Sequence, residues 1–486
     1  MNVNDIITVV NDVLWSYVLI AALIGGGLWF TWKLRFVQFR MVGEMIRLLR
    51  DSVVLPSKDG PKRISSFQAF AVSVASRVGT GNLAGVATAI AVGGPGAVFW
   101  MWVTALIGSA TAFVESTLGQ LFKERASDSF VGGPAYYINK GMHLCSWHPL
   151  QRSGHWMSIL FAILITVTFG LANNTMQANT ICGAMNEAFG LSPFWVGLVL
   201  AMMALLIVFG GIQRIAHVSA FLVPLMAVGY FFLAIYVVVV NYELLPRVLR
   251  LIVTNAFGFE QVLGGGLGAA LMNGVKRGLF SNEAGEGSAP NAASTADVTH
   301  PVKQGLIQAL GVFTDTLLVC SCTAFIILLS GIYQSPELNG INLTQAALQS
   351  EVGSFGPVFV AIAIFLFAFS SIIANYYYGE ANIRFMTSQS SHFAAHPSFI
   401  MTVYRIFSGG LMVMFGAMIS LEMAWNIIDL CMALLTACNL VAIFALGKYA
   451  FRLLDDYRQQ RRQGIREPQF HRHQLPEVAD DLECWD

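Results

Sequence analysis

Two short stretches of this chain break apolar runs with glycine and hydrogen-bonding side chains, and chemistry is expected there. The first is Gly79, Thr80, Gly81 and Asn82, inside FQAFAVSVASRVGTGNLAGVATAIAVGG. The second is Phe280, Ser281, Asn282, Glu283, Ala284 and Gly285, inside GGGLGAALMNGVKRGLFSNEAGEGSAPNAA. Unwinding a helix within hydrocarbon bares peptide N–H and C=O groups that lipid cannot satisfy, so they must bind something. A half-helix starting near Gly81 would aim N–H groups and a positive dipole end at a carboxylate, while carbonyls from both breaks suit an ammonium group or Na⁺. An amino-acid zwitterion meets both needs. A third stretch, FLFAFSSIIANYYYGE, sets Phe367, Ser370 and Ser371 at i, i+3 and i+4, so a carbonyl and two hydroxyls could converge on one hard cation. Each feature has a plainer reading: small residues let helices pack closely, and serines bond back to their own helix. Paired breaks at matching positions favour ligand binding.

The elements that position these residues must lie in lipid. The 486-residue chain is 56% hydrophobic and 12% charged, with a mean hydropathy of +0.63, too apolar to be covered by a water-soluble surface. The expected fold is an all-α integral membrane protein with about eleven spans, near 14–32, 67–91, 97–121, 156–188, 194–211, 215–240, 262–290, 303–331, 356–386, 401–420 and 424–448. Lys33, Arg35, Arg40, Arg47, Arg50, Lys58, Lys62 and Arg63 follow the first span, and Lys448, Arg452, Arg458, Arg461, Arg462 and Arg466 follow the last. Short loops rich in such residues stay in the cytoplasm, so the N-terminus is expected outside and the C-terminus inside. The segment from Gln334 to Gly353, with no Lys or Arg, then falls outside, in agreement. Arg247 and Arg250 dissent mildly; a short interfacial helix accounts for them. Met1 to Asp12 has no basic residue, so no removable signal peptide is expected.

Each broken span opens a group of five. An odd number of spans per group inverts the second group in the membrane, giving a five-plus-five inverted repeat preceded by one extra span. The expected divisions are 1–66 (extra span and basic loop), 67–240 (first repeat), 241–261 (outer connection), 262–448 (second repeat) and 449–486, a solvated cytoplasmic tail.

The strings GTGNLAGVATAIAVGGPGAVFWMWV and KRGLFSNEAGEGSAPNAAS, with GGPAYY at 132–137 and FAFSSIIANYYYGE at 367–380, resemble the signatures of the alanine or glycine:cation symporter family, also called sodium:alanine symporters. The likeness runs over nearly the whole chain. That family is similar in architecture to the leucine-transporter fold. The resemblance implies that the N–H groups of Thr80 and Gly81, within Gly79 to Asn82, hold a substrate carboxylate. It implies that carbonyls of Ala75, Val78 and Phe367, with Ser370 and Ser371, surround a sodium ion. Phe280, Ser281 and Asn282 would border the substrate, the Phe280 ring closing over its amino group, and Gln177 in NNTMQANTI would face it. Arg77 departs from the leucine-transporter pattern, which has a small residue there; one Na⁺ per cycle and an Arg77–Glu283 ion pair are expected in consequence.

The expected function is therefore sodium-coupled import of a small neutral amino acid, of alanine or glycine type, across a plasma (bacterial inner) membrane by alternating access. No cofactor is expected beyond Na⁺ as coupling ion. The alternatives are a proton-coupled carrier or exchanger of a related solute such as glutamine and, more distantly, an ion channel. A net charge of zero gives no footprint for nucleic acid. Seven scattered cysteines match neither a zinc site nor a disulfide framework. The nucleophile and metal motifs of enzymes are missing from the sequence, so no enzyme is expected. Glu115, Lys276, Arg277, Glu283, Glu286, Asp315, Glu380 and Asp429 fall in or beside apolar spans, where each must be paired or wet.

Overall fold

The computed structural model of this protein describes residues 10–11, 13–52, 64–126, 129–145, 147–258, 267–389 and 395–486. Lys58, Lys62 and Arg63 of the basic connection, and the first residues of the expected seventh span (262–266), lie outside them.

Among the described residues the chain is almost entirely helical; its one small sheet pairs Glu124–Arg125 with Phe130–Val131. Among the described residues seven helices are long and apolar enough to cross a membrane: Gly96–Leu121, His148–Phe189, Gly211–Val240, Pro301–Ser330, Phe355–Ser388, Pro397–Met418 and Leu421–Arg462. Gly81–Gly93 and Pro193–Val208 are apolar but shorter. The seven correspond to seven of the eleven expected spans, and the two short helices fall on two more. Large apolar side chains such as Trp156, Leu206, Phe221 and Phe232 stand exposed on these helices, as lipid-facing residues should.

The two breaks are set by local chemistry. Ser65 starts the Ser66–Arg77 helix with a capping box: its hydroxyl accepts from the Gln68 N–H (3.1 Å), and the Gln68 side chain accepts from the Ser65 N–H (3.0 Å). That helix stops at Val78, which is extended (φ −81°, ψ 93°); the chain resumes as π-helix over Gly81–Gly85 and α-helix over Val86–Gly93. The second break lies a few residues further on than expected. Leu267–Asn282 is continuous helix, so Phe280, Ser281 and Asn282 occupy its last turn, and the chain turns at Glu283 (φ 56°), Gly285 (φ 96°) and Gly287 (φ 81°) before Ala289–Ala293. Glycine at 285 and 287 is what allows these positive φ values without Cβ strain. The long Gly96–Leu121 helix runs beside both Leu267–Asn282 and Pro301–Val312, and the Gly81–Gly85 segment packs on Leu267–Asn282, which brings the two breaks together.

The last helix continues to Arg462, well past the expected boundary at 448. The tail beyond it is not solvated. Phe470, Leu475, Val478, Leu482 and Trp485 are all buried. The Trp485 indole N–H donates to the Leu121 carbonyl (3.0 Å) and the Phe470 N–H to the Thr299 carbonyl (2.9 Å), so the tail straps the ends of two membrane helices. Its apolar residues are too irregularly spaced to register as a periodic element among so many charges.

His300 sits under this strap, stacked edge-on against Tyr457 and Phe470, with Nδ1 accepting from the Val302 N–H and Nε2 3.1 Å from Asp456. Burial pushes its pKa down, outweighing the pull of Asp456. The neutral ring is thus the form the fold prefers, and its contribution is complete above the ordinary imidazole value of about 6.5 and lost as pH falls through the lowered value. Acidification should accordingly loosen the strap, read as faster protease cleavage within 464–486, and His300→Gln should flatten that response.

Candidate functional site: two helix breaks joined by Ser371 and Asp315

Ser371 lies on the Phe355–Ser388 helix where that helix passes the first break. Its Oγ is 2.8 Å from the Ala75 carbonyl, 3.3 Å from that of Val78 and 3.1 Å from that of Phe367. Ser370 Oγ donates to the Phe367 carbonyl at 2.8 Å, the back-bonding that helical serines favour. All five residues are buried. The structure therefore gathers three carbonyls and two hydroxyls, a set of neutral hard oxygens of the kind a sodium ion prefers.

The peptide groups beside this cluster are already engaged. The Thr80 N–H donates to Gln177 Oε1 (2.9 Å) and the Gly79 N–H to Asn82 Oδ1 (2.9 Å). Amide oxygens thus take up both of these N–H groups. Gln177 is in turn held by Asn173, whose Oδ1 accepts from its Nε2 (2.8 Å), at the end of a π-helical stretch over Thr168–Asn173. Gly79 and Gly81 have packing reasons to lack a side chain. A Cβ at 79 would collide with Ser371 Oγ and Gln177, and one at 81 would come within 3.0 Å of Ser281 Cα and 3.1 Å of the Phe280 ring.

Asp315 links the breaks, a role the sequence reading did not give it. Fully buried, it accepts from Asn82 Nδ2 (2.7 Å) on the first break, from Ser281 Oγ (2.8 Å) beside the second, and from Thr316 Oγ1 (2.9 Å). It sits on π-helix over Phe313–Cys320, a widened turn of the kind often found at functional sites. Its carboxylate puts a formal negative charge between the interrupted helices. Asn282 Oδ1 accepts from the Ala284 N–H (3.0 Å) and closes the end of its own helix, while its buried Nδ2 has no hydrogen-bond partner among the described residues.

Two carboxylates hold the second break open. Glu115 accepts from the N–H groups of Gly285 (3.3 Å) and Gly287 (3.1 Å) and from Asn439 Nδ2 (2.9 Å). Glu283 accepts from the hydroxyls of Ser76 (2.6 Å) and Ser288 (2.5 Å). The expected Arg77–Glu283 ion pair is not formed. The hydroxyl on the residue before Arg77 has taken the carboxylate, and the guanidinium, one step further round the helix, donates Nη1 to the Gln308 carbonyl (3.2 Å). Gly311 makes room for it, since a Cβ there would strike Nη1.

On the other side of Phe280 an aromatic and ionic cap closes the site. The Phe280 ring meets Trp425 edge-on (4.9 Å between centroids), the Arg277 guanidinium lies 3.8 Å over Trp425, and Arg277 makes two 2.9 Å hydrogen bonds to Asp429, which Lys276 also reaches at 2.8 Å. A desolvated bidentate pair of this kind is costly to break one-sidedly, roughly 3–5 kcal/mol. Arg277→Ala should thus destabilise the purified protein by roughly 3–5 kcal/mol, measured by its unfolding in detergent.

The sodium:alanine symporter family model matches residues 1–472. The probable sodium/glutamine symporter GlnT of Bacillus subtilis is 49% identical over 99% of this chain and 96% of its own length. The amino-acid carrier protein AlsT of the same organism is 47% identical over 99% and 98%. The sodium/alanine symporter AgcS of Methanococcus maripaludis is 34% identical over 92% and 95%. The family is one of transporters, not enzymes. With helices built to cross a bilayer several times and with coverage of nearly its full length, the chain belongs to the sodium:alanine symporter family and is a multi-pass, sodium-coupled amino-acid symporter.

Proposed function

We propose that this protein imports a small neutral amino acid, alanine or glycine in type, with one Na⁺ per cycle by alternating access. The observation that carries the proposal is the meeting of Ser371 with the Ala75 and Val78 carbonyls, one residue before the Gly79–Asn82 break. Sodium would be held by the carbonyls of Ala75, Val78 and Phe367 with Ser370 and Ser371. The substrate carboxylate would displace Gln177 Oε1 from the Thr80 N–H and share the Gly81 N–H. The negative charge of Asp315 would attract the substrate's ammonium group, with Ser281 beside it and the Phe280 ring as lid. Because the ion ties the first broken helix to the Ser371 helix, its binding orders the peptide groups that receive the amino acid, so each ligand raises the other's affinity.

The close approaches at Gly79 and Gly81 argue for a small substrate. Glutamine is the second reading, favoured by the name of the 49% identical relative. In this proposal spans 67–240 and 262–448 form two inverted groups of five, each opened by a broken helix, in the manner of the leucine-transporter fold. The N-terminus lies outside, the C-terminus in the cytoplasm, and the membrane is the bacterial inner membrane. One charge moving down ~100 mV supplies about 2.3 kcal/mol, and a tenfold sodium gradient about 1.4 kcal/mol. Together these support accumulation of several hundredfold.

Thermal stabilisation of the purified protein by alanine, glycine, serine and glutamine, with and without Na⁺, identifies the substrate. Labelled uptake into liposomes then tests coupling. Uptake of the stabilising amino acid that ran equally fast without sodium would overturn the mechanism, and stabilisation by glutamine alone would replace the substrate.

A further inference from the structure

Glu286 takes no part in the proposed cation or amino-acid sites, yet it is 1% exposed and among the described residues neither of its carboxyl oxygens has a hydrogen-bond partner. The other two acids at the second break are treated differently. Glu115 accepts three hydrogen bonds and Glu283 two, partners that Glu286 lacks. The charged groups that act on Glu286 are Glu283 from the same turn, Glu115 from the Gly96–Leu121 helix and Arg77 from the Ser66–Arg77 helix. With Asp315, on which Arg77 also acts, four acids share one guanidinium. An ionised carboxylate here, stripped of water and of donors and set beside other buried acids, would cost several kcal/mol. The neutral acid is the form this packing accommodates.

On the helix that carries Arg77 and the one packed against it, other buried groups lack partners among the described residues. Arg77 Nε and Nη2, and both ends of the Gln304 and Gln308 side-chain amides, meet no donor or acceptor. Ser66–Arg77 and Pro301–Val312, which carry them, pack on each other. On the orientation proposed above, these residues lie between the breaks and the cytoplasm. Polar groups are seldom buried unpaired, and a seam of them suits a path that fills with water in another state of the cycle.

We propose that Glu286 is a proton-binding site, filled while the cytoplasmic half is closed and emptied when that half opens. This rests on the symporter reading and its orientation. On opening, the carboxyl O–H bond breaks, the proton passes to cytoplasmic water, and the carboxylate left behind is hydrated beside Arg77. On closing, the same carboxylate takes a proton back from the cytoplasm, so none crosses the membrane. Opening is thereby linked to cytoplasmic pH: acid holds the inner half shut.

Right-side-out membrane vesicles, with the lumenal pH set independently of the outside, provide the test. Sodium-driven uptake of labelled alanine, or of whichever amino acid stabilises the purified protein, should quicken several-fold as lumenal pH rises from about 6 to about 8, one proton allowing at most tenfold per pH unit. Glu286→Gln should give a flat profile at the slow, acid-side rate. Glu286→Asp keeps a titratable group and should keep a displaced pH dependence. Sodium-dependent uptake by the unmodified protein that ignores lumenal pH would overturn the assignment and leave the symporter reading intact. So would a Gln variant that follows the unmodified profile, or an active Asp variant with none. Uptake indifferent to sodium would instead strike the symporter reading itself.

Discussion

Replacing Ser371 with alanine should raise the sodium concentration for half-maximal uptake by roughly tenfold or more, while leaving sodium-independent binding of the amino acid nearly unchanged. The hydroxyl lies within hydrogen-bond reach of both the Ala75 and Val78 carbonyls, so its loss removes one proposed ligand of the cation. Losing one charge-assisted contact of this kind costs about 1.5–3 kcal/mol, hence the tenfold figure. Ser370→Ala should do less, because the Ser370 hydroxyl is already committed to its own turn. Sodium titration of uptake in proteoliposomes separates the two. Equal, small effects from both substitutions would remove the cation from this place.

Asp315→Asn should lower amino-acid affinity by about a hundredfold, a loss of about 2.7 kcal/mol, and Asp315→Ala should abolish uptake. The asparagine keeps the size of the side chain and one acceptor for Asn82 or Ser281, but removes the charge and introduces a donor opposite donors. Alanine also leaves Asn82 without its strongest contact with the opposite helix. Equilibrium binding of labelled amino acid, measured alongside uptake, shows whether the loss is in recognition or in turnover. Full affinity in the asparagine variant would mean that Asp315 positions the two breaks and does not attract the ammonium group.

Much of the membrane architecture was legible beforehand because its cause is local. A run of apolar residues long enough to span lipid identifies itself, and seven of the expected spans recur as helices of that character. The first break was legible for the same reason, since glycine, threonine and asparagine in a hydrocarbon-length run mark where helical hydrogen bonding stops. The convergence of Ser371 with Ala75 and Val78 was indicated by family resemblance, and nothing in the spacing of residues so far apart could have paired them. The second break was mislocated because FSNEAG is compatible with a last helical turn; Glu115, from another helix, decides where the chain bends by claiming the N–H groups of Gly285 and Gly287.

What the sequence determined by itself was solvent and periodicity: which segments prefer lipid, where two of them are weak, and which residue types could receive a zwitterion and an ion. Only the tertiary structure decided who pairs with whom. Arg77 and Glu283 looked complementary, but Ser76 stands nearer the acid and the guanidinium is turned toward Gln308. Asp315 looked like one buried charge among several, until folding set it between Asn82 and Ser281. The tail looked solvated, yet Trp485 found the end of a distant helix. Hydropathy sums over neighbours along the chain, whereas a hydrogen bond or ion pair depends on position to within an ångström, and that is fixed by packing between segments hundreds of residues apart.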